Sequence, residues 1–268
     1  MDYKYFQDRV VIVTGGASGI GLATCQELAK YGARIAMLDM DKEVLENCRE
    51  TFADKGHDIL ALKCDVTDQE ACQNSISQVL NRFGQIDILF NNAGITQRGL
   101  FEKTDINVFK KVMDVNFFGS LYCTKAALPS LIKSKGMIIV NESIAGVAPL
   151  LGRTGYSASK HALHGMFTSL RCELRHKGVH VMIVCPGFIK TNLQTRALGS
   201  DGKLASHKQT TVGKSDTPEN VAKQIANGIV KKKPMLVLTF MGKIAYLVSR
   251  FFPLLYERIM TRQFKDEL

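Results

Sequence analysis

The glycine-rich segment Thr14–Gly21, TGGASGIG, constrains the fold of this 268-residue chain more than any other stretch. It follows the apolar run Val10–Val13 and precedes a segment of helical character, Leu22–Lys30. A buried strand, a glycine-rich turn and a helix in this order form a phosphate-binding corner, because glycine permits the tight turn and lets a pyrophosphate approach the backbone. The alternative is an ordinary turn between a strand and a helix, since a glycine pattern alone is a weak signal.

A carboxylate after the next predicted strand favours the dinucleotide interpretation. The predicted second strand, Arg34–Leu38, is followed by Asp39, which lies 24 residues after Gly15. In dinucleotide-binding folds an acidic residue near this distance accepts a hydrogen bond from the ribose 2′-hydroxyl. The combination therefore predicts a dinucleotide site, with the pyrophosphate at the N-terminus of the first helix.

Strand-like and helix-like segments alternate over most of the chain, which predicts an α/β fold: a doubly wound parallel sheet of the Rossmann type with helices on both faces. Several strands are near-continuous apolar runs, as expected when both faces of a sheet are buried. The predicted strands are Val10–Val13, Arg34–Leu38, Ile59–Lys63, Ile86–Phe90, Met137–Val140, His180–Val184 and Leu236–Thr239. The predicted helices are Gly19–Tyr31, Lys42–Lys55, Gln69–Phe83, Ile106–Lys133, Tyr156–His176 and Pro218–Lys231.

Composition and charge limit the function classes. The chain is 46% hydrophobic and 22% charged, which is typical of a globular protein. We expect one catalytic domain, residues 1–240, and an amphipathic extension, residues 241–268. The net charge of +10 comes from scattered lysines and arginines with one tight cluster, Lys231–Lys233, and no zinc-finger or RNA-binding motif is present. Nucleic acid is therefore not expected as a partner.

The cysteines and the chain ends bear on localisation. Seven cysteines at irregular spacing, without a CxxC pair, indicate reduced thiols rather than a disulfide framework. The N-terminal residues lack the apolar core of a signal peptide, so a cytoplasmic protein is expected. The last four residues, Lys265–Leu268, spell an endoplasmic-reticulum retrieval signal, which we interpret as a chance match because no entry signal accompanies it.

Polar residues follow the third and fourth predicted strands. Asp65 can reach a ligand in the crevice of the sheet, or it can serve as a turn or capping residue. The segment Asn91–Gly94 can form a turn with unusual backbone angles close to a ligand, or a plain loop.

Ser143 follows the fifth predicted strand, and Tyr156 and Lys160 come soon after it at helical spacing. On a helix, residues four apart lie on one face. An ammonium group beside a phenol stabilises the phenolate and lowers the tyrosine pKa from its free value of about 10. By itself such a pair is usually a solvated helix face.

With these motifs in order, including 13 residues from Ser143 to Tyr156, the chain resembles the short-chain dehydrogenase/reductase family, and within it NAD-dependent hydroxysteroid- and retinol-type members. The resemblance extends from about Phe6 to Phe240. It implies hydride transfer between a nicotinamide cofactor and a secondary alcohol or ketone. The residues that carry it are Thr14–Gly21, Asp39, Asp65, Asn91–Gly94, Asn116, Ser143, Tyr156, Lys160 and Pro186–Thr191.

The resemblance implies roles for individual residues. Tyr156 would be the general acid/base, and Ser143 would position and polarise the substrate oxygen. Lys160 would lower the pKa of Tyr156 and bind the nicotinamide ribose, while Asn116 would complete a proton relay through a water molecule. No metal is expected. The implied cofactor contacts are Gly15, Ser18, Gly19, Ile20, Gly21, Asp39, Asp65, Val66, Asn92, Ala93, Gly94, Tyr156, Lys160, Ile189 and Thr191.

The expected cofactor is NAD rather than NADP, because the Asp39 carboxylate would repel a 2′-phosphate. NADP-preferring relatives usually carry a basic residue where this chain has Ala17, Ser18 and Met40. One rival interpretation is an NADP-dependent reductase of a polar carbonyl, such as a 3-oxoacyl thioester or a sugar. Another is a non-catalytic binding or regulatory member of the fold.

Charged residues near these motifs leave alternatives open. Glu142 stands where many relatives have a small or hydroxyl residue, and it either faces the substrate cleft or pairs with a neighbouring base. Arg98 and Arg153 lie in loops that border the cleft in the family, so they either bind an anionic substrate group or are surface charges. His161 and His164 are expected to be structural rather than metal ligands.

The two regions expected to determine substrate specificity have the weakest sequence patterns. By resemblance, residues 192–215 form a mobile lid over the substrate; the alternative is a loop without that role. Apolar residues of the tail fall at helical spacing, interrupted at Pro253, and Lys243 and Arg250 make the segment too polar to span a membrane. The tail packs either on the protein itself or a partner subunit, or it rests on a membrane surface.

Family members that act on steroids, retinoids and long-chain lipid alcohols often have apolar C-terminal extensions. The resemblance therefore favours a small, lipophilic substrate. It also implies a homodimer or homotetramer formed through the helices that carry Asn116 and Tyr156.

Overall fold

The computed structural model describes residues 2–205 and 215–264. Its seven strands are β1 (Val10–Thr14), β2 (Arg34–Asp39), β3 (Ile59–Lys63), β4 (Ile88–Asn91), β5 (Met137–Asn141), β6 (His180–Cys185) and β7 (Met235–Val237). They form one sheet in the order β3-β2-β1-β4-β5-β6-β7, and every adjacent pair is parallel. The order reverses between β1 and β4, so the crevice outside their carboxyl ends is the expected ligand site.

Helices cover both faces of this sheet, and the predicted doubly wound fold is confirmed. The helices are α1 (Gly19–Ala29), α2 (Lys42–Ala53), α3 (Gln69–Phe83), α4 (Ile106–Met113), α5 (Gly119–Ser134), α6 (Thr154–Leu174), α7 (Pro218–Val230), α8 (Phe240–Phe251) and α9 (Pro253–Gln263). The apolar residues of α1, α2 and α7 pack on one face, and those of α3, α5 and α6 pack on the other.

The central strand β1 shows why the sequence places the glycine-rich turn at the edge of this crevice. Val11 and Val13 belong to one core layer, and Val10 and Ile12 belong to the other. All four are fully buried. Because successive side chains of a strand point to opposite faces, only a strand covered on both sides accepts this apolar run. The segment Thr14–Gly21 therefore starts in the interior and leads to α1 at the carboxyl end of the sheet.

Most predicted boundaries differ from the structure by one or two residues, and three of the differences have a local cause. β4 begins at Ile88 rather than Ile86, because the N–H of Ile86 donates to the Ser130 hydroxyl and not to a neighbouring strand. β7 ends at Val237, since the Thr239 side chain accepts from the N–H of Gly242 and begins α8. The single helix predicted over residues 106–133 is α4 and α5 joined by a π-helical turn, Asp114–Phe118.

The tail forms the helix pair α8 and α9, which breaks at Phe252, directly before Pro253. Proline fixes its own φ and lacks an N–H, so it fits the first position of the second helix. Among the described residues, none of the helices has the length and hydropathy that a membrane span requires. Part of the expected lid, 206–214, and the terminal residues 265–268 lie outside the described residues.

Candidate functional site

The glycine-rich turn forms a cradle with no room for side chains. Gly15 and Gly19 have φ of +60° and +53°, a region that favours glycine. A Cβ on Gly21 would lie 2.1 Å from the carbonyl oxygen of Gly15 and 2.6 Å from the Nδ2 atom of Asn92. Ser18 makes no side-chain capping bond at the N-terminus of α1, and Ile20 lies half-buried in the first turn. The N–H groups of that turn therefore suit a pyrophosphate.

Asp39 lies at the end of β2 beside this cradle. Its carboxylate accepts from the N–H of Ala17 at 3.1 Å and from the N–H of Asp41 at 3.3 Å. These bonds hold the carboxylate against the glycine-rich turn, and an ionised carboxylate has further acceptor positions for a ribose hydroxyl. The position suits the adenosine side of a dinucleotide.

Asp65 and Val66 follow β3, next to β2. Asp65 is exposed, and its Oδ1 atom accepts from the N–H and the hydroxyl of Thr67 at 2.9 and 2.8 Å. This is the turn-forming role that the sequence left open for Asp65. Val66 is buried, and a Cβ on Gly119 would lie 2.7 Å from its side chain.

The segment after β4 is tied to the glycine-rich turn. The Asn92 amide donates to the carbonyl oxygens of Thr14 and Gly15, each at 3.0 Å. The Thr14 hydroxyl accepts from the N–H groups of Asn92 and Ala93, also at 3.0 Å. A Cβ on Gly94 would lie 3.1 Å from the Oδ1 atom of Asn116. This part of the chain therefore forms the wall between the cradle and the candidate catalytic residues.

Asn116 lies in the π-helical turn and is fully buried. Its side chain accepts from the N–H of Ile95 at 2.8 Å and donates to the Ile95 carbonyl and the Ser159 hydroxyl at 3.0 and 2.9 Å. The backbone carbonyl oxygen of Asn116 accepts a hydrogen bond from the Ser120 hydroxyl at 2.8 Å. π-Helical turns occur frequently at functional sites. Here the turn lets one amide side chain join the loop after β4 to α6.

Ser143, Tyr156 and Lys160 meet at the carboxyl end of β5. Ser143 follows this strand, and its hydroxyl accepts from the N–H of Ala145 at 3.1 Å. Tyr156 and Lys160 lie one turn apart on α6 and are both buried, with 8% and 4% of their surface exposed. The Lys160 Nζ atom donates to the carbonyl oxygen of Asn141 at 2.8 Å and lies 5.7 Å from the centre of the Tyr156 ring.

Burial sets the charge behaviour of this pair. Burial raises the pKa of Tyr156, while the Ser143 hydroxyl and the Arg153 charge lower it and Glu142 raises it further. Burial lowers the pKa of Lys160 to about 8, and the charge of Glu142 opposes this shift. The sequence predicted that Lys160 would lower the pKa of Tyr156; in the protein chain itself the larger effect is desolvation, which disfavours the charged form of both groups.

The segment after β6 borders the glycine-rich turn and so lies next to the candidate cofactor site. Ile189 is 9% exposed and bridges to Asp216. A Cβ on Gly19 would lie 3.3 Å from the Thr191 side chain, so Thr191 reaches the glycine cradle. The structure thus brings together most of the predicted site residues, whereas the Oδ1 atom of Asp65 accepts hydrogen bonds from its own turn.

Both loop arginines differ from the expectation of surface charges. Arg98 and Arg153 are 5% and 2% exposed. Arg98 donates to the carbonyl oxygen of Gln194 at 3.0 Å, and the charge of Arg153 acts on Tyr156. Burial of guanidinium groups is not predictable from loop position, because it depends on contacts between distant segments.

The two helix histidines have structural partners. The Nδ1 atom of His161 lies 2.9 Å from the Ser157 carbonyl oxygen, and that of His164 lies 3.1 Å from the Glu142 carboxylate. In the described part of the chain no group of histidine, cysteine and acidic residues could hold a metal ion. Sequence reasoning missed Asn141, whose amide donates to the Asn92 side chain at 2.9 Å. Its place at the end of β5, two residues before Ser143, was the available signal.

Comparisons with known proteins agree with this geometry. Residues 9–200 match the family model described as short chain dehydrogenase. The chain is 34% identical over 273 residues to dehydrogenase/reductase SDR family member 7B of Rattus norvegicus, covering 98% of this chain and 83% of the relative. It is 35% identical over 259 residues to 11-beta-hydroxysteroid dehydrogenase-like 2 of Arabidopsis thaliana, covering 94% and 80%.

A solved structure supports the fold. A short chain dehydrogenase/reductase from Burkholderia phymatum in complex with NAD matches with a TM-score of 0.82 at 24% identity, covering 94% of this chain and 96% of that chain. The family model covers well over half of the chain, and the relatives exceed 30% identity along nearly all of it. The chain therefore belongs to the short-chain dehydrogenase/reductase family of oxidoreductases.

Proposed function

We propose that this protein transfers a hydride between NAD(H) and a lipophilic secondary alcohol or ketone. The observation that supports this most is the convergence of Ser143, Tyr156 and Lys160 at the same end of the sheet as the glycine cradle. A nucleotide bound in the cradle along the strand ends would present its nicotinamide ring toward the end of β5, next to these side chains.

Each group has a role that its surroundings suit. Tyr156 exchanges a proton with the substrate oxygen, and Ser143 positions that oxygen. Lys160, fixed by the Asn141 carbonyl, holds the nicotinamide ribose and keeps a cation near the phenol. Asn116 acts through its buried hydrogen bonds, which hold the loop after β4 in place. When bound, the oxidised nicotinamide accepts the hydride and adds positive charge beside Tyr156, which opposes the effect of burial on its pKa.

The residues of the cradle fit a dinucleotide on steric grounds. Side chains are excluded at Gly15 and Gly21 by backbone and amide atoms within 3 Å, so only glycine leaves the surface open for phosphates. Gly15, Ser18, Gly19, Ile20 and Gly21 would hold the pyrophosphate.

The remaining proposed cofactor contacts come from residues at or after the carboxyl ends of the strands. Asp39 would bind the adenine ribose, and Asp65 and Val66 would border the adenine. The turn formed by Asn92, Ala93 and Gly94 would line the cofactor path. Ile189 and Thr191 would meet the carboxamide.

The cofactor choice is tested by titrating NADH and NADPH separately into the purified protein and following nicotinamide fluorescence. We expect NADH to bind at least about tenfold more tightly, because a hydrogen bond to a charged acceptor contributes about 1.5–3 kcal/mol. Asp39→Ser should remove most of this preference, whereas Asp54→Asn, at the far end of α2, should not. Tighter NADPH binding by the wild-type protein would favour the rival reductase, and binding of neither would favour a non-catalytic protein.

The substrate class is inferred from an apolar cavity that is lined in part by the tail helices. The cavity has a volume of about 460 Å³ and lies between the tail helices and the segments after β5 and β6. Ile144, Leu150, Phe188 and Val248 are among its lining residues. Ser143, Tyr156 and Lys160 are not among them, but Ile144 adjoins Ser143. The cavity would therefore receive the apolar body of a substrate whose oxygen reaches Ser143.

The outer face of α8 and α9 suits an anionic membrane surface. Phe240, Ile244, Leu247 and Phe251 are exposed and recur at helical spacing, so they form one apolar stripe. Phe240 and Ile244 also line the cavity, so the stripe adjoins it. Beyond the break, Phe252, Leu254 and Leu255 are also half or more exposed. This tail from residue 240 to 263 contains four basic residues and one acidic residue. An amphipathic helix pair with this charge lies in a bilayer interface and attracts anionic lipids.

Membrane contact is tested by flotation with vesicles of phosphatidylcholine and phosphatidylserine. The double variant Phe251→Ser, Phe252→Ser should lose at least about tenfold in bound fraction, because each phenylalanine contributes about 1.5–3 kcal/mol when fully buried. Phe101→Ser removes an exposed phenylalanine elsewhere and serves as the control. Equal binding of all three proteins, or none, would contradict the membrane assignment and favour packing of the tail on a partner subunit.

We further expect a homodimer or homotetramer formed through α5 and α6, as the family resemblance implies. Sedimentation of the wild-type protein in the absence of lipid measures this state directly. The membrane-associated form would remain a peripheral one, bound from the cytoplasmic side.

A further inference from the structure

Two adjacent contacts join α6 to the end of β5, directly before Ser143. The Lys160 Nζ atom donates to the carbonyl oxygen of Asn141 at 2.8 Å. One helical turn later, the Nδ1 atom of His164 lies 3.1 Å from the Oε2 atom of Glu142. The last residue of β5 and the residue after it are thus linked to α6 residues one turn apart, and these links fix where α6 presents Tyr156 to Ser143.

The Glu142 carboxylate is buried, with none of its side chain exposed, whereas a third of the His164 side chain is exposed. Gly146 leaves the space for the carboxylate, since a Cβ there would lie 2.3 Å from the Oε1 atom of Glu142. The Cys185 Sγ atom lies 3.9 Å from the same oxygen. An ionised carboxylate accepts hydrogen bonds but donates none, so His164 is the donor in this pair.

A buried carboxylate acts on neighbouring charges because the surroundings screen it weakly. The negative charge of Glu142 favours the protonated forms of its neighbours. It adds to the effect of burial on the pKa of Tyr156 and Cys185, and it opposes the effect of burial on the pKa of Lys160 and Arg171. The titratable and charged groups that face it are Tyr156, Lys160, His164 and Arg171 from α6 and Cys185 from β6.

We propose that Glu142, held by His164, is a positioning residue of the active site: its buried negative charge keeps Lys160 cationic and fixes the register of α6 against Ser143. This inference rests on the proposed function, because it assigns Lys160 and Tyr156 their catalytic roles. Glu142 itself does not touch the reacting atoms. It acts through the charge and the placement of the two side chains that do.

If Glu142 acts in this way, its removal changes the dependence of kcat/KM on pH in a definite direction. Removing the carboxylate charge lowers the pKa of Lys160, so the cation is lost at a lower pH. It also lowers the pKa of Tyr156, so the phenolate forms at a lower pH. Both limbs of the kcat/KM profile therefore move in the same direction, toward acid.

The test compares Glu142→Gln with the wild-type protein and with Glu173→Gln, which removes an exposed carboxylate from α6. We expect Glu142→Gln to shift the profile of kcat/KM against pH by at least about one unit toward acid. One unit corresponds to about 1.4 kcal/mol, which a charge exceeds within roughly 12 Å at an effective dielectric constant of about 20. Glu173→Gln should leave the profile in place. His164→Asn, which keeps a donor but removes the ring, should produce a smaller shift in the same direction, with His161→Asn as its control.

A measurement without turnover separates this inference from the proposed function. In protein labelled with 13C and 15N lysine, the Lys160 side-chain resonance, identified by its loss in Lys160→Met, reports the pKa of Lys160 directly. A lower value in Glu142→Gln supports the inference even if no substrate is turned over, in which case the proposed function fails alone. If Glu142→Gln is folded by circular dichroism and both the Lys160 titration and the pH profile match the wild type, the inference is overturned.

Discussion

The Tyr156→Phe variant is expected to lose about 10²–10⁴-fold in kcat, the contribution of a positioned general acid/base. The hydroxyl is the group removed, and the ring that packs at the end of β5 remains. Tyr156 is 8% exposed, so no second proton donor from bulk water easily replaces it. NADH binding should weaken by less than about fivefold, since at most one hydrogen bond to the cofactor is lost.

Steady-state kinetics and fluorescence titration of the same preparations check this result. Tyr31→Phe is the matched control, because it removes a tyrosine hydroxyl that donates to Glu27, outside the site. Ser143→Ala should reduce kcat by a smaller factor, since positioning of the substrate oxygen is lost but the proton donor stays. Full activity in Tyr156→Phe would mean that another group carries the proton, and the catalytic assignment would be wrong.

Local sequence patterns predicted most of the fold and the main groups of the site. The apolar run before Thr14–Gly21 requires a strand buried on both faces, and the turn after it admits only glycine at Gly15 and Gly21. The spacing of Tyr156 and Lys160 places both on one helix face wherever that helix packs. These inferences depend on residues close in sequence, so they needed no knowledge of the tertiary structure.

What the sequence left open depends on contacts between distant segments. The burial of Arg98 and Arg153 follows from how their loops pack, not from their position along the chain. Glu142 had two alternatives, and only the approach of His164 from α6 decides for a pair with a neighbouring base. Asp65 likewise had two alternatives: the bonds that it accepts from Thr67 show the turn-forming role, and its contact with the adenine stays a proposal.

The pKa of Tyr156 shows a further limit of sequence reasoning. A nearby ammonium group predicts a lowered value, but both partners are buried, and desolvation acts on the phenolate and the ammonium alike. The net direction depends on burial, which pattern alone does not give. The protein therefore places the catalytic groups, and the cationic nicotinamide of the proposed cofactor would contribute part of the charge that activates Tyr156.

The Lys160→Met variant is expected to be inactive and yet more stable than the wild-type protein at pH 7. Burial lowers the pKa of Lys160 from 10.5 to about 8. Because the folded state binds this proton less tightly than the unfolded chain, the cation destabilises the fold below pH 8, and stability is regained as the pH rises toward 10.5. Removing the amine should therefore add about 2 kcal/mol to the free energy of unfolding at pH 7, after about 1 kcal/mol is lost with the hydrogen bond to Asn141.

Urea unfolding of the nucleotide-free protein across this pH range measures the difference. The gain of Lys160→Met over the wild type should be largest at pH 7 and should disappear near pH 10.5. Lys223→Met, which removes an exposed lysine of α7, controls for the loss of one surface charge and should show no such trend. A variant that is less stable at pH 7, or a gain that does not change with pH, would mean that the buried ammonium is stabilised in place. Interactions with other residues would then have to offset the desolvation of the Lys160 ammonium in the folded protein.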